Sequence, residues 1–317
     1  MSIRVRLAIA VLGAVVVGVV LAREGDGRPL PKAASCPIFP ASSHWNQRVD
    51  RLPLHPRSAA MVRAIGRGDN AHADFGSGRY EGRPIGIPYV VVGRGQARVP
   101  VRFEYADESD RGRYPIPRRA PIEGGRRSDG DRHVIVVDRA RCRLHELFAA
   151  YPDDGGRRWR AGSGARWDLR SNRLRPRGWT SADAAGLPIL PGLARYDEVR
   201  RGRIDHALRI TVPRTRRAYV YPARHFASDL RDPDLPAMGQ RVRLRRGFDV
   251  SRFPRQARVV LRALKRYGAL VADNGSAWYV SGAPSPGWNN DDLHSLHRVR
   301  GSDFEVVDTS DLLRPRR

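Results

Sequence analysis

His133-Val-Ile-Val-Val-Asp138 is followed, after a short turn, by Arg143-Leu-His-Glu-Leu-Phe-Ala-Ala-Tyr151. The first run is β-branched and predicts a strand. The second is its expected hairpin partner, joined through the turn before Cys142. On alternation, His145 and Glu146 point to opposite faces of that sheet. Reading outward, Gly86–Val92 and Val99–Tyr105 predict two more strands, with Gly93-Arg94-Gly95 as a hairpin turn between them. Arg241–Phe248 reads as a strand. Ala269-Leu-Val-Ala272 and Ala277-Trp-Tyr-Val280 flank Asp273-Asn274-Gly275-Ser276, which predicts a further hairpin. Helical signals are few. Pro56 to Ile65 is one, and Pro254 to Tyr267 is another, with Val260, Ala263, Leu264 and Tyr267 on one face and Gly268 after it. The segment Gly287 to His294 starts a short third helix, capped by Asn or Asp. Together these predict a mainly β fold, a sandwich or open barrel with two or three packed helices. No repeat or low-complexity segment follows residue 36, so residues 36–313 are expected to form a single β-rich domain.

The chain has 317 residues and a formal net charge of +25, carried almost entirely by arginine. The arginines are scattered through strands, loops and tail. That pattern fits a solvated basic surface, or attraction to an anionic cell-envelope polymer or polysaccharide. No helix-turn-helix, zinc finger or aromatic RNA-binding signature is present, which points away from nucleic acid. Arg4 and Arg6 precede an apolar run from Leu7 to Ala22. Residues 1–22 therefore read as a signal peptide or an N-terminal membrane anchor, the one expected membrane contact. Residues 23–35 read as a polar linker and residues 314–317 as a basic tail. Export makes the location extracellular or cell-envelope. In that setting the two cysteines, Cys36 and Cys142, are expected to form a disulfide.

Gly178 to His225 is rich in small residues, proline and glycine, and two short strands follow its loop, each with a histidine and an arginine in or just beyond it. It reads as the wall of a site. Several motifs carry a resemblance: Cys36-Pro-Ile-Phe-Pro with Trp45-Asn46, Asp131-Arg-His-Val-Ile-Val-Val-Asp138, Glu146-Leu-Phe-Ala-Ala-Tyr-Pro152, Trp179-Thr-Ser-Ala-Asp-Ala-Ala-Gly-Leu-Pro-Ile-Leu-Pro-Gly-Leu193, and Ala272-Asp-Asn-Gly-Ser276 with Trp278-Tyr279. Over Cys36 to Leu313 the chain resembles a family of exported bacterial proteins that share these motifs. The resemblance implies export. It implies no particular reaction, so no catalytic residue is carried over from it.

Tryptophan beside carboxylate and arginine in an exported β-rich chain suits a carbohydrate site, because aromatic faces stack on sugar rings. Glycoside hydrolysis further needs two carboxyl groups across the scissile bond. Asp131, Glu146, Asp168 and Asp197 are possible members. A second cluster, His206, Arg209, Arg224 and His225, combines a proton acceptor with cations able to neutralise a uronate, as in a lyase. The expected catalytic residues are Asp168, His206, Arg209 and His225. The expected substrate-binding residues are Trp167, Trp179, Arg224 and Trp278. No metal is expected, since His72, Asp74, His133, His206 and His225 lack zincin spacing; Asp129-Gly-Asp131 and Asn289-Asn-Asp-Asp292 do not match a calcium loop. No cofactor is expected either: Gly93-Arg-Gly95 has no helix after it, and Gly162-Ser163-Gly164 lacks nucleophile-elbow spacing. The functional expectation is a polysaccharide hydrolase or lyase, with a non-catalytic carbohydrate-binding or envelope protein as the alternative.

Overall fold

The computed structural model describes residues 27–313; the expected signal peptide or anchor and the basic tail lie outside the described residues. After helix α1 (Ser58–Gly66) come strands β1 (His72–Asp74), β2 (Arg79–Tyr80), β3 (Arg83–Pro84), β4 (Tyr89–Val92), β5 (Val99–Phe103) and β6 (Arg113–Tyr114). The middle of the chain forms β7 (Val134–Asp138), β8 (Arg143–Phe148), β9 (Tyr151–Asp153), β10 (Arg158–Ala161) and β11 (Ser163–Asp168). Helix α2 (Tyr196–Arg200) leads to β12 (Leu208–Val212) and β13 (Arg241–Leu244). Helix α3 (Arg255–Arg266), β14 (Ala269–Asn274), β15 (Tyr279–Ser281), helix α4 (Asn290–His294) and β16 (Phe304–Val306) complete the order. The fold is mainly β with few helices, as the sequence predicts.

The pair β7–β8 is antiparallel, as expected, with Ile135 opposite Glu146 and Val136 opposite His145. All five residues of β7 are buried, so both faces of this strand are covered. Period-two alternation divides them. Ile135, Val137 and Leu144 enter the larger apolar core, whereas Val134, Val136 and Leu147 enter a smaller one with Tyr114 and Trp159. The sheet β11-β8-β7-β4 is therefore a shared middle layer. The smaller core lies between it and the sheet β6-β5-β10-β9, and the larger core between it and the sheet β1-β15-β12-β14-β13-β16. Glu146 shares the larger-core face with Ile135, and His145 takes the other.

Two expected hairpins are absent. β4 pairs in parallel with β7, while β5 pairs with β6 and β10, so the turn at Gly93 joins strands of different sheets. β14 and β15 do not pair with each other either. β12 lies between them, parallel to β14 and antiparallel to β15. Two apolar runs about four residues apart look like a hairpin locally, but Leu208, Ile210 and Val212 bury fully by filling the slot between them. Of the two short strands expected within Gly178 to His225, the second is reduced to a single bridge between Tyr219 and Met238. The expected linker also packs: Leu30 and Ala33 are buried in the larger core.

Helix α3 is amphipathic, burying Ala257, Val260, Leu261 and Leu264. Gly268 ends it in the left-handed conformation (φ 67°), where a Cβ would meet the Val242 carbonyl at 2.2 Å. Cys36 and Cys142 form the expected disulfide across 106 residues of sequence. Closing so long a loop restricts the unfolded chain, so Cys36→Ser/Cys142→Ser is expected to lose about 2–4 kcal/mol of stability. Urea unfolding of the two forms tests this; a loss below about 1 kcal/mol would mean the oxidised chain is strained or already ordered when unfolded. Among the described residues no helix is long and apolar enough to cross a membrane.

Candidate active site

Because β12 separates β14 from β15, Arg209 on β12 stands between Asp273 on one neighbour and Ser281 on the other. Arg209 is buried. Its Nη1 donates to Ser281 Oγ at 2.9 Å. Its Nε donates to Asp183 Oδ2 at 3.1 Å, and Nη2 lies 3.0 Å from the same oxygen and 3.8 Å from Asp273 Oδ2. Asp183 belongs to the central motif. Its loop is built from within: Ser181 Oγ accepts from the Asp183 amide and donates to the Leu187 carbonyl, at 2.9 and 2.6 Å. Gly186 (φ 70°) has no room for a Cβ, which would lie 2.6 Å from the Trp179 carbonyl. The Ala185 amide donates to the Ala272 carbonyl and so pins the loop beside Asp273. From the middle layer, Glu146 accepts from the amides of Ile189 and Leu190 at 2.9–3.0 Å. Burial pushes its carboxyl up to about 7, and the two amides oppose that rise.

His133 closes the site from the start of β7. Its Nδ1 lies 2.5 Å from Glu123 Oε2 and its Nε2 2.9 Å from the Ala182 carbonyl. Both ring nitrogens face oxygen acceptors, so the ring donates from both as an imidazolium. Burial opposes the charge, but Glu123 outweighs it and lifts His133 to about 9. Burial likewise opposes ionisation of Glu123, and His133 overcomes it, holding Glu123 below its ordinary range. Asp131 sits beside this pair, with ligand atoms of all three residues within 4.8 Å. Those atoms form a possible oxygen and nitrogen donor set for a metal. A metal would first have to displace the Nδ1 proton of His133, and Arg209 acts electrostatically on the same pair.

Asp74, at the end of β1, completes the cluster. It is exposed, yet burial by the surrounding walls raises its pKa, as does Glu123. Asp273, with a quarter of its side chain exposed, is pushed up to about 7 by burial and then by Asp183, while Arg209 pulls it down. Burial also raises Asp183, against Arg209. Thus Glu123 and Asp131 raise Asp74, Asp183 and Asp131 raise Asp273, and Arg209 lowers Asp74, Glu123, Asp183 and Asp273, in a chain of net charge +25. Asp74 also lines a cavity of about 560 Å³ walled by His72, Tyr80, Tyr279, His294 and His297. There His72 stacks on Tyr279 with ring centres 4.3 Å apart.

The residues proposed from sequence fall in several places. Arg209 is at the centre of the acid cluster. Trp167, Asp168, Trp179 and Arg224 line one groove on the other side of the motif loop. His225 packs on that loop, its Nδ1 donating to the Ala184 carbonyl at 2.9 Å. His206 is elsewhere, buried with Nε2 at 3.0 Å from Glu198, which also pairs with Arg195 at 2.7 Å. That network holds α2 and leaves His206 no open surface. Trp278 is wholly buried, stacked on Phe304 and donating to the Gly66 carbonyl at 2.7 Å, so it has no face for a ligand. Trp167 is also buried, with the Arg175 guanidinium 5.8 Å from its ring. Sequence reasoning passed over Asp183, Asp273 and Glu123 as site residues. The signal was available for the first two: each carboxylate interrupts an apolar run (Ser-Ala-Asp183-Ala-Ala, Leu-Val-Ala-Asp273) and so needs a buried partner.

The His133–Glu123 pair has a pH signature. A group with a raised folded pKa contributes stability that is complete below its unfolded value and lost as pH rises through the folded one. His133 should therefore contribute fully below about 6.5 and lose roughly 3 kcal/mol as pH passes through about 9. Unfolding curves from pH 6 to 10 (roughly, spanning both values) should show this fall in the wild type and not in His133→Gln. Equal slopes in the two proteins would mean the ring is neutral.

No protein-family model, curated protein or solved structure matches this chain.

Proposed function

We propose that this is an exported polysaccharide hydrolase whose reacting centre is the carboxyl cluster around Arg209. The observation that supports it most is Arg209 buried against Asp183 and Asp273, near enough to Asp74 and Glu123 to lower both, with Asp74 lining an aromatic-walled cavity. Glycosidic cleavage needs a carboxylic acid to protonate the leaving oxygen and an ionised carboxylate on the other side. Environments that push the pKa values of neighbouring carboxyls apart assign those roles. Burial pushes Asp273 up to about 7, so that it is about half protonated at neutral pH, whereas His133 keeps Glu123 ionised. Arg209 holds Asp183 and Asp273 in place. Export agrees with the disulfide, which belongs to oxidising compartments.

The test is incubation of the oxidised protein with a panel of cell-wall and plant polysaccharides, reading new reducing ends, ultraviolet-absorbing unsaturation and retention on the polymer. Reducing ends without unsaturation are expected. Unsaturated ends would replace the hydrolase with a lyase. Retention without products would make it a binding protein, and neither retention nor products would sink the carbohydrate reading.

A further inference from the structure

The groove that gathers Trp167, Asp168, Trp179 and Arg224 encloses about 730 Å³. Its charge is lopsided. Arg143, Arg166, Arg173, Arg175 and Arg224 line it, against Asp110 and Asp168. Arg175 is structural: it is buried and donates to Asp110, to the Glu108 carbonyl and to the Thr180 carbonyl, each at 2.6 Å. Its guanidinium lies 5.8 Å from the Trp167 ring and 5.4 Å from the Trp179 ring, so it fixes the groove floor. The other arginines are less committed. Arg143 meets Asp168 only at 3.6 Å, with both side chains well exposed. Arg224 donates through Nε to the Arg175 carbonyl at 2.8 Å. Arg166 is held more firmly, donating through Nη2 to the Arg113 carbonyl at 3.2 Å and lying 4.4 Å from the Tyr114 ring centre, with Nε buried without an acceptor. The exposed Arg173 guanidinium has no protein acceptor among the described residues.

We propose that this groove binds a uronate-bearing stretch of an acidic polysaccharide. The proposal rests on the hydrolase reading above and extends it to the substrate class. Guanidinium groups present paired N–H donors that match a carboxylate, and successive uronates would repeat that anion along the polymer. A single-stranded nucleic acid fits less well, because base recognition needs free aromatic platforms. Here Trp167 is buried, and the half-buried Trp179 has Arg175 near its ring. The groove also adjoins the acid cluster through the motif. Trp179 lines it, Thr180 Oγ1 donates to the Asp183 carbonyl at 3.3 Å, and the Asp183 carboxyl turns to Arg209 on the other side.

Affinity electrophoresis through gels containing a polyuronate, and its carboxyl-reduced neutral counterpart, tests the assignment. The polyuronate is expected to bind about tenfold or more tighter than the neutral polymer at low salt, with the preference shrinking as salt rises. Arg173→Gln/Arg224→Gln is expected to lose about tenfold or more of that affinity with at most a small fall in the unfolding midpoint from the lost Arg224–Arg175 bond; Arg173→Gln alone, with an unchanged midpoint, serves if the double variant does not fold. Equal binding of the two polymers, variants that bind like the wild type, or tighter binding of single-stranded DNA would overturn it. Product release separates this from the hydrolase reading. Cleavage of neutral polymer at the uronate rate would keep the hydrolase and reject the groove. Arginine-dependent retention with no products from any polymer would keep the groove and reject the hydrolase.

Discussion

Arg209→Leu is expected to destabilise the fold by about 3–5 kcal/mol near neutral pH, the range for removing one member of a buried ion pair. The argument is one of uncompensated charge. Arg209 is buried and bonded to Asp183, itself buried, and lies 3.8 Å from Asp273. Leucine fills part of the space but leaves two carboxyls beside each other with no cation between them. They can escape by taking up protons, so the cost must depend on pH. The folded values of Asp183 and Asp273 are already raised, by burial first. A raised carboxyl favours the fold most below its unfolded value of about 4 and loses that contribution as pH rises through the folded value, about 7 for Asp273. Removing Arg209, which lowers both, moves that loss to higher pH and deepens it. Urea unfolding of both proteins at about pH 5 and pH 8 should therefore show a smaller deficit in acid. A deficit that is the same at both, or below about 1 kcal/mol at the higher pH, would mean that Arg209 does not neutralise these acids.

The middle layer was legible because burial on both faces demands continuous apolar residues, and Val134-Ile-Val-Val137 supplies them. The alternation that sends His145 and Glu146 to opposite faces was equally legible, since it depends only on the pleat. Strand partners were not. Turn residues at Asp273–Ser276 look the same whether the flanking strands pair or part, and only the long-range insertion of β12 decides it. That insertion builds the acid site, because it places Arg209 within reach of Asp273 and Ser281 together. The central motif was recognisable as a wall, and of Asp168, His206, Arg209 and His225, the residues expected to carry its chemistry, Arg209 meets the acids Asp183 and Asp273. His206 instead satisfies Glu198, and Asp183 within the motif is the group that meets Arg209. Tryptophan misled for a related reason: indole area is as useful to a core as to a sugar platform, and Trp278 is spent on Phe304.

On the hydrolase reading proposed above, Asp273→Asn is expected to lower the rate of polysaccharide cleavage by about 10²–10⁴-fold, the range for removing a general acid. The amide keeps the shape of the carboxyl but has no proton to give at neutral pH. The same change should leave stability unchanged or slightly raised, because it removes a like charge beside Asp183 while Arg209 keeps Asp183 as its partner. Lost activity with retained stability separates a reacting group from a structural one; Arg209→Leu, by contrast, should lose both. The pH profile carries the second half of the argument. If Asp273 delivers the proton, kcat/KM falls as pH rises above about 7. If Glu123 is the ionised partner, the acid limb lies below the ordinary carboxylate range, because His133 keeps Glu123 charged. The wild-type profile should thus be broad on its acid side. Asp273→Asn should remove the limb near 7 along with the activity. Activity within about threefold of wild type, with that limb intact, would move the acid role away from Asp273. Asp74 would then be the next residue to replace, since burial raises it too and it lines the cavity.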